Sequence, residues 1–143
     1  MQTAVHAEQA WCVMVPHRAN GVRVARRRLA ASLAGTMSQE RLADALAVVA
    51  ELVGNAIRHA CGLPGGVVRV AWRLLATGGL RIVVTDGGPQ RGSSTPRVKP
   101  PSIDSVDGRG LAIVAALSND WGVELTEARH RNGVDQSVWA ELP

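Results

Sequence analysis

The sequence predicts an α/β fold, a two-layer sandwich with helices on one face of a mixed, mostly antiparallel sheet. Three observations lead there. Two segments of helical period follow one short apolar run, two strictly alternating segments flank a Thr-Gly-Gly turn, and a last helical segment precedes two more strand-like ones. Helices and strands in this order bury their apolar sides only by sharing one sheet. At 143 residues the chain fits one domain with a core large enough to need no disulfide or metal.

The apolar run at 10–15 stops at Pro16 and reads as a strand. Over 18–33, Val22, Ala25, Leu29 and Leu33 recur at helical spacing, and Gly35 suits the end of that helix because it tolerates positive φ. Ser38 is an N-cap for a second helix over 38–60, with Arg41 in place of the Glu that would complete a capping box. Leu42, Leu46, Val49, Val53 and Ile57 form its apolar stripe, and the Cys-Gly-Leu-Pro-Gly-Gly run at 61–66 stops it.

Val68, Val70, Trp72 and Leu74 alternate with Arg69, Ala71 and Arg73. After Thr77-Gly78-Gly79, Leu80, Ile82 and Val84 alternate with Arg81, Val83 and Thr85, so the two segments predict an antiparallel hairpin. Residues 89–107 carry four prolines and four serines without apolar period; a loop this long in a compact domain is commonly a lid or binding loop. Gly108-Arg109-Gly110 then opens a helix, followed by strands at 121–127 and 137–142.

Composition narrows the function. No run of eighteen apolar residues could span a bilayer, and the N-terminus lacks the basic-then-apolar layout of a secretory signal. Cys12 and Cys61, without CxxC or His-rich spacing, make neither a disulfide framework nor a zinc site and read as buried or partly buried thiols in a reducing cytosol. The net charge of +4 comes from fifteen Arg and one Lys (Lys99). Only Arg23 with Arg26, Arg27 and Arg28 cluster, more often a solvated helix face than a recognition surface. With no Phe or Tyr to stack on bases, direct nucleic-acid binding rests on charge alone.

Three places carry candidate chemistry, each with an ordinary alternative. At one hundred degrees per residue, Glu51, Asn55 and Arg58 lie roughly opposite the apolar stripe of the 38–60 helix. They could be a plain solvated face, but Asn is a poor helix former with no packing reason to sit there. Asp86-Gly87-Gly88-Pro89 ends a strand and could be a turn; alternatively Asp86 accepts a hydrogen bond from a ligand amine while the glycines allow close backbone approach. Gly108-Arg109-Gly110-Leu111 opens a helix whose free N–H groups and dipole favour a phosphate, or is a simple loop-to-helix junction. Neither a GxxxxGK[ST] nor a GxGxxG pattern is present.

In this order, ELVGNAIRHA, VVTDGGP, the Pro/Ser lid, GRGLAIVAALSNDWGV and the closing SVWAEL resemble the GHKL (Bergerat-fold) ATPase superfamily, and within it the small bacterial anti-sigma-factor serine kinases and related regulatory ATP-binding proteins. The resemblance runs from about Ala10 to the end and implies a single histidine-kinase-like ATPase domain over 1–143 with an ATP lid at 89–107. It implies that Asn55 holds the Mg²⁺ bridging the ATP phosphates and that Glu51 is the catalytic base or positions the attacking hydroxyl. It implies that Asp86 binds the adenine amino group beside Gly88, and that Gly108, Arg109 and Gly110, with Leu111, border the phosphates. Arg58 and Ser137 complete the implied nucleotide site. The implied partners are a sigma factor and an anti-sigma-factor antagonist, in the cytoplasm, with homodimerisation common and neither membrane nor direct nucleic acid involved.

The chain departs from that pattern in two places. The DxGxG form is broken by Pro89 and Gln90 after Asp86-Gly87-Gly88, and Asp135-Gln136-Ser137 stands where the branch commonly has Gly-Lys-Thr, so a lysine near the phosphates is missing. His59 would need a dimerisation domain to serve as phosphoacceptor, and it reads instead as packing or capping the helix end. Two readings follow: an ATP-dependent serine/threonine kinase acting on the antagonist, or a non-catalytic module whose nucleotide occupancy sets partner affinity.

Overall fold

In a computed structural model of the chain, residues 9–89, 108–128 and 131–143 are described. The order is β1 (Ala10–Pro16), α1 (Gly21–Leu33), α2 (Gln39–His59), β2 (Val67–Leu74), β3 (Leu80–Asp86), α3 (Gly108–Leu117), β4 (Asp120–Glu127) and β5 (Val134–Leu142). The five strands form one sheet in the order β1-β2-β3-β5-β4, and every pairing among the described residues is antiparallel. The expected two-layer α/β sandwich is what forms. Of the expected lid at 89–107, all but Pro89 lies outside the described residues. Cys12 and Cys61, expected to be buried or partly buried, are both exposed.

Alternation decides which face of the sheet is covered. Val68, Val70 and Trp72 of β2, Leu80, Ile82 and Val84 of β3, and Ala140 and Leu142 of β5 are buried in one cluster with Ala25, Leu29 and Leu33 of α1, Val49, Leu52 and Val53 of α2, and Val114 of α3. Trp72 is buried whole because its indole N–H donates to Ser32 Oγ at 2.8 Å, and Trp11 stacks on it with centroids 6.2 Å apart. The odd-numbered residues of β2, β3 and β5 point to the opposite face, away from the helices.

α1 begins at Gly21 rather than at 18 because the chain first makes a turn, with the Gly21 N–H on the Arg18 carbonyl at 2.8 Å. A Cβ at Gly21 would lie 2.2 Å from the Pro16 carbonyl oxygen, so only glycine lets helix and strand end meet so closely. α2 begins as expected: the Ser38 side chain accepts from the Arg41 N–H at 3.2 Å.

The buried surface of α2 is wider than the predicted stripe. Val49 and Val53 are buried, Leu42, Leu46 and Ile57 only partly, while Ala45, Val48, Leu52 and Ala56 are buried as well. α2 lies between its neighbours: Ile57 Cδ1 sits 3.2 Å from where a Gly21 Cβ would be, on the α1 side, and Leu117 of α3 shares a small cavity with Arg41, Asp44 and Ala45. Leu52, at the middle of that face, is 2% exposed, and Leu52→Ala should cost about 2–5 kcal/mol.

β5 begins at Val134, three residues before the predicted 137. Asp135 and Gln136 interrupt the apolar alternation, yet they pair with Thr126 and Leu125 of β4, and Gln136 also pairs with Asp86. No helix among the described residues is long and apolar enough to cross a membrane.

Candidate functional site

Widening the buried face of α2 moves the place of its polar residues. The core side centres near Ala45, Val49, Leu52 and Ala56, so Asn55 lies at its edge, about 90° from the centre, and Glu51 about 130° from it. Both are half-buried, one turn apart, whereas Arg58 is exposed. The Arg58 guanidinium folds back one turn: its Nη2 donates to Asn55 Oδ1 at 2.9 Å, and its Nη1 would lie 2.9 Å from a Cβ on Gly54. Asn55 thus offers one amide oxygen on a half-buried patch, and that suits a hard cation that keeps several waters and takes its other oxygens from a ligand's phosphates, with the Glu51 carboxylate one turn away. Among the described residues no group of three or more His, Cys, Asp or Glu forms a self-sufficient metal cage.

At the end of β3, Asp86 is 2% exposed. Burial pushes its carboxyl up to about 6; the Gly88 N–H bond and the neighbouring His17 oppose that rise, and Asp135 adds to it. Its hydrogen bond among the described residues comes from the Gly88 N–H to Oδ1 at 2.8 Å. The following turn is zipped to the chain leaving α2: the Gly87 N–H donates to the Cys61 carbonyl at 2.7 Å, and the Cys61 N–H to the Gly88 carbonyl at 2.8 Å. Asp86 is therefore held at the end of the fold where α2 carries Asn55. The glycines have a reason within the fold. A Cβ on Gly87 would lie 2.3 Å from the Gly62 carbonyl oxygen; Gly88 has φ +85°, and its Cβ would lie 2.3 Å from the Val134 carbonyl oxygen.

Two residues that organise this end carry no signal in the sequence. His17 Nε2 donates to the Ala60 carbonyl at 2.8 Å and the Ala56 carbonyl at 3.0 Å, capping α2 from outside, while the His17 backbone N–H donates to the Gly66 carbonyl. His17 thus caps the helix from outside it, while His59 is exposed at the end of α2. Arg131 donates through Nη2 to the Gly87 carbonyl at 2.9 Å and to Asp135 Oδ1 at 2.6 Å, tying the β4–β5 hairpin to the Asp86 turn. A lone His after a strand and an Arg in a hairpin loop are too common in sequences to be singled out.

Gly108, Arg109 and Gly110 form the first turn of α3, so its free N–H groups belong to them. Leu117 at the other end of α3 sits beside the first turns of α2, so α3 runs back along α2 and directs its N-terminus toward the Asn55 end. Leu111 is half-buried. Ser137 is not brought to Asp86. It faces the helix-free side of the sheet, where its hydroxyl meets Thr85 Oγ1 at 2.8 Å. A cavity of about 430 Å³ opens on that side, lined in part by Arg69, Thr85, Arg131, Asp135 and Ser137 and by none of Glu51, Asn55 or Asp86.

The family model of the histidine kinase-like ATPase domain matches residues 15–137, which include every element from α1 to β4 and the start of β5. Among solved structures, the chain is similar to the crystal structure of the RsbU and RsbW domains of Rv1364c from Mycobacterium tuberculosis, with 21% identity and a TM-score of 0.67. That match covers 94% of this chain and 32% of the other, so the chain spans about a third of its length. At that identity the likeness speaks for the fold. No curated protein matches.

Proposed function

This chain belongs to the histidine kinase-like ATPase domain family, and from that premise we propose that it binds ATP with Mg²⁺ as an anti-sigma regulatory protein and passes the γ-phosphoryl group to a serine or threonine of an anti-sigma-factor antagonist. The observation that carries ATP binding is Asp86. Its carboxyl is 2% exposed, accepts from Gly88, and is pinned through Gly87 and Cys61 to the end of the helix that bears Asn55. A buried acceptor with capacity to spare calls for a donor, and the exocyclic amine of adenine is one.

Asn55 would hold the ion through its amide oxygen, which now accepts from Arg58, and the ion would supply charge neutralisation at the phosphates. The N-terminal N–H groups of α3 at 108–110 face the phosphates, with Arg109, Leu111 and the Arg58 guanidinium at their border. Glu51, one turn from Asn55, accepts the proton of the attacking hydroxyl. The hydroxyl oxygen forms the new bond to the γ-phosphorus while the bond to the β-phosphate oxygen breaks, and ADP leaves. The added charge weakens the antagonist's hold on its partner. In this reading residues 1–143 are one cytoplasmic ATPase domain whose lid is 89–107, the unmodified antagonist and a sigma factor are its partners, and a homodimer is the working unit.

A second reading keeps the nucleotide and drops the transfer. What favours it is the segment before Ser137. The family resemblance leads one to expect a lysine there, whereas the chain has Asp135-Gln136, and the nearby Arg131 is engaged with Asp135 and Gly87. Nucleotide occupancy would then set partner affinity by itself. Co-purification from the native cell, followed by incubation of the captured proteins with labelled Mg-ATP, separates the two. Label on a captured partner's serine or threonine is expected of the kinase; capture that depends on ATP but leaves every partner unlabelled favours the module. Capture indifferent to nucleotide contradicts both.

A further inference from the structure

One row across the sheet, Asp86 of β3, Gln136 of β5 and Leu125 of β4, lies in register near the Asn55 end of the fold. Alternation turns all three to the helix side, whereas Thr85 and Ser137, one residue earlier and later, turn away and bond each other. Gln136 is 7% exposed, yet its side-chain Oε1 is buried without a hydrogen-bond partner among the described residues. Native folds rarely leave a buried acceptor unpaired, and each such atom calls for a reason. Paired residues on one face have Cβ atoms roughly 4.5–5.5 Å apart, so Asp86 and Gln136 set two acceptors side by side. Apolar surface lies open next to them, with Leu125 48% and Val134 37% exposed on the same face of the hairpin.

We infer that Gln136 is the specificity-determining partner of Asp86, and that the two oxygens accept the two hydrogens of one exocyclic amine, selecting a 6-amino purine over a 6-keto purine. The inference rests on the proposed ATP reading and deepens it at the base. The amine of adenine carries two N–H donors, one for the Asp86 carboxylate and one for Gln136 Oε1. Hypoxanthine and guanine carry an oxygen at that place, which sets acceptor against acceptor. Leu125 and Val134 offer the ring plane an apolar wall. The chemistry also accounts for glutamine at a buried strand position where an apolar residue would pack at lower cost.

The test is equilibrium binding of Mg-ATP and Mg-ITP, which differ in the 6-amino against the 6-keto group, to the parent chain, to Gln136→Leu and to Gln136→Met. The parent should prefer ATP. Both variants should lose about tenfold in ATP affinity and little in ITP affinity, so that the preference narrows by about tenfold. Their unliganded thermal midpoints should not fall, because a buried unpaired acceptor has been removed. An ATP-to-ITP ratio unchanged in whichever variant folds overturns the inference. Equal binding of ATP and ITP by the parent overturns it too and leaves triphosphate binding standing; binding of neither overturns the ATP reading and this inference together.

Discussion

His17 and Ala60 hold the end of α2 in place: the His17 Nε2–H reaches the Ala60 carbonyl at 2.8 Å across 43 positions of sequence. The same nitrogen also reaches the Ala56 carbonyl at 3.0 Å, which already accepts the Ala60 N–H, so one side chain braces the last turn of the helix at two carbonyls. His17→Ala should lower stability by about 1–2 kcal/mol. It should also speed hydrogen exchange at the Ala60 N–H, which donates to Ala56. Urea melts with residue-resolved exchange check both; unchanged exchange in the last turn would show that α2 needs no cap from outside.

Asp86 gives the fold a pH dependence of unusual sign for a carboxylate. Its folded pKa of about 6 lies above the 3.8 of the free group, so between those values the folded state binds more protons than the unfolded one. This group's contribution is then most favourable below pH 3.8 and is lost as pH rises through about 6. Asp86→Asn removes the cost of the buried charge and keeps an acceptor for the Gly88 N–H. Its advantage over the parent should be near zero at low pH and reach about 2–3 kcal/mol above pH 7. ATP binding should be lost in the same variant. Denaturation midpoints of both proteins from pH 4 to 8 test the sign, and a difference that does not vary with pH refutes it.

Gly88 should tolerate no side chain, with or without nucleotide. Its φ of +85° acts together with the Val134 carbonyl oxygen, which lies 2.3 Å from where a Cβ would stand. Gly88→Ala should cost about 3 kcal/mol or more. Thermal unfolding of the unliganded variant measures this. A stable Gly88→Ala chain that fails only in ATP binding would mean that the glycine serves the ligand and not the fold.

Glu51→Gln should separate binding from transfer. The side chain is half-buried and joins no hydrogen bond or ion pair among the described residues, so its replacement should leave stability within about 0.5 kcal/mol. Mg-ATP affinity should stay within about twofold, while phosphoryl transfer to a captured partner should fall by about 10²-fold or more. Transfer at the parent rate would remove Glu51 from the base's role.

Where an element's own residues announce it, the fold is legible in the sequence. The alternation of Val68 to Leu74 and Leu80 to Val84 around Thr77-Gly78-Gly79 specifies a hairpin through local chemistry, and its Leu74–Leu80 pairing is what forms. The helix at 39–59 is visible from its period and its Ser38 cap. The extent of its burial is not, because period alone does not reveal that α1 and α3 flank it on both sides, which buries Ala45, Val48 and Ala56 too. The start of β5 is hidden because Asp135 and Gln136 look like loop residues until their partners, Thr126 and Asp86, are known.

The site divides in the same way. Asn55, Asp86 and the Gly108–Gly110 turn stand out because Asn in mid-helix, Asp-Gly-Gly after a strand and Gly-Arg-Gly before a helix are locally odd. Gln136 and His17 act through contacts about 40 to 50 positions distant in the chain, with Asp86 and with Ala56 and Ala60. Register also settles what a hydroxyl count could not: Ser137 and Gln136 are neighbours in sequence, and the sheet sends them to opposite faces.

The most direct test of the account is titration calorimetry of Mg-ATP into the parent chain, Asp86→Asn and Asn55→Ala at pH 7. The account predicts one site with a micromolar-range Kd in the parent, dependence on Mg²⁺ that Asn55→Ala removes, and no measurable binding to Asp86→Asn. No binding by the parent, or binding that both variants retain unchanged, would contradict it.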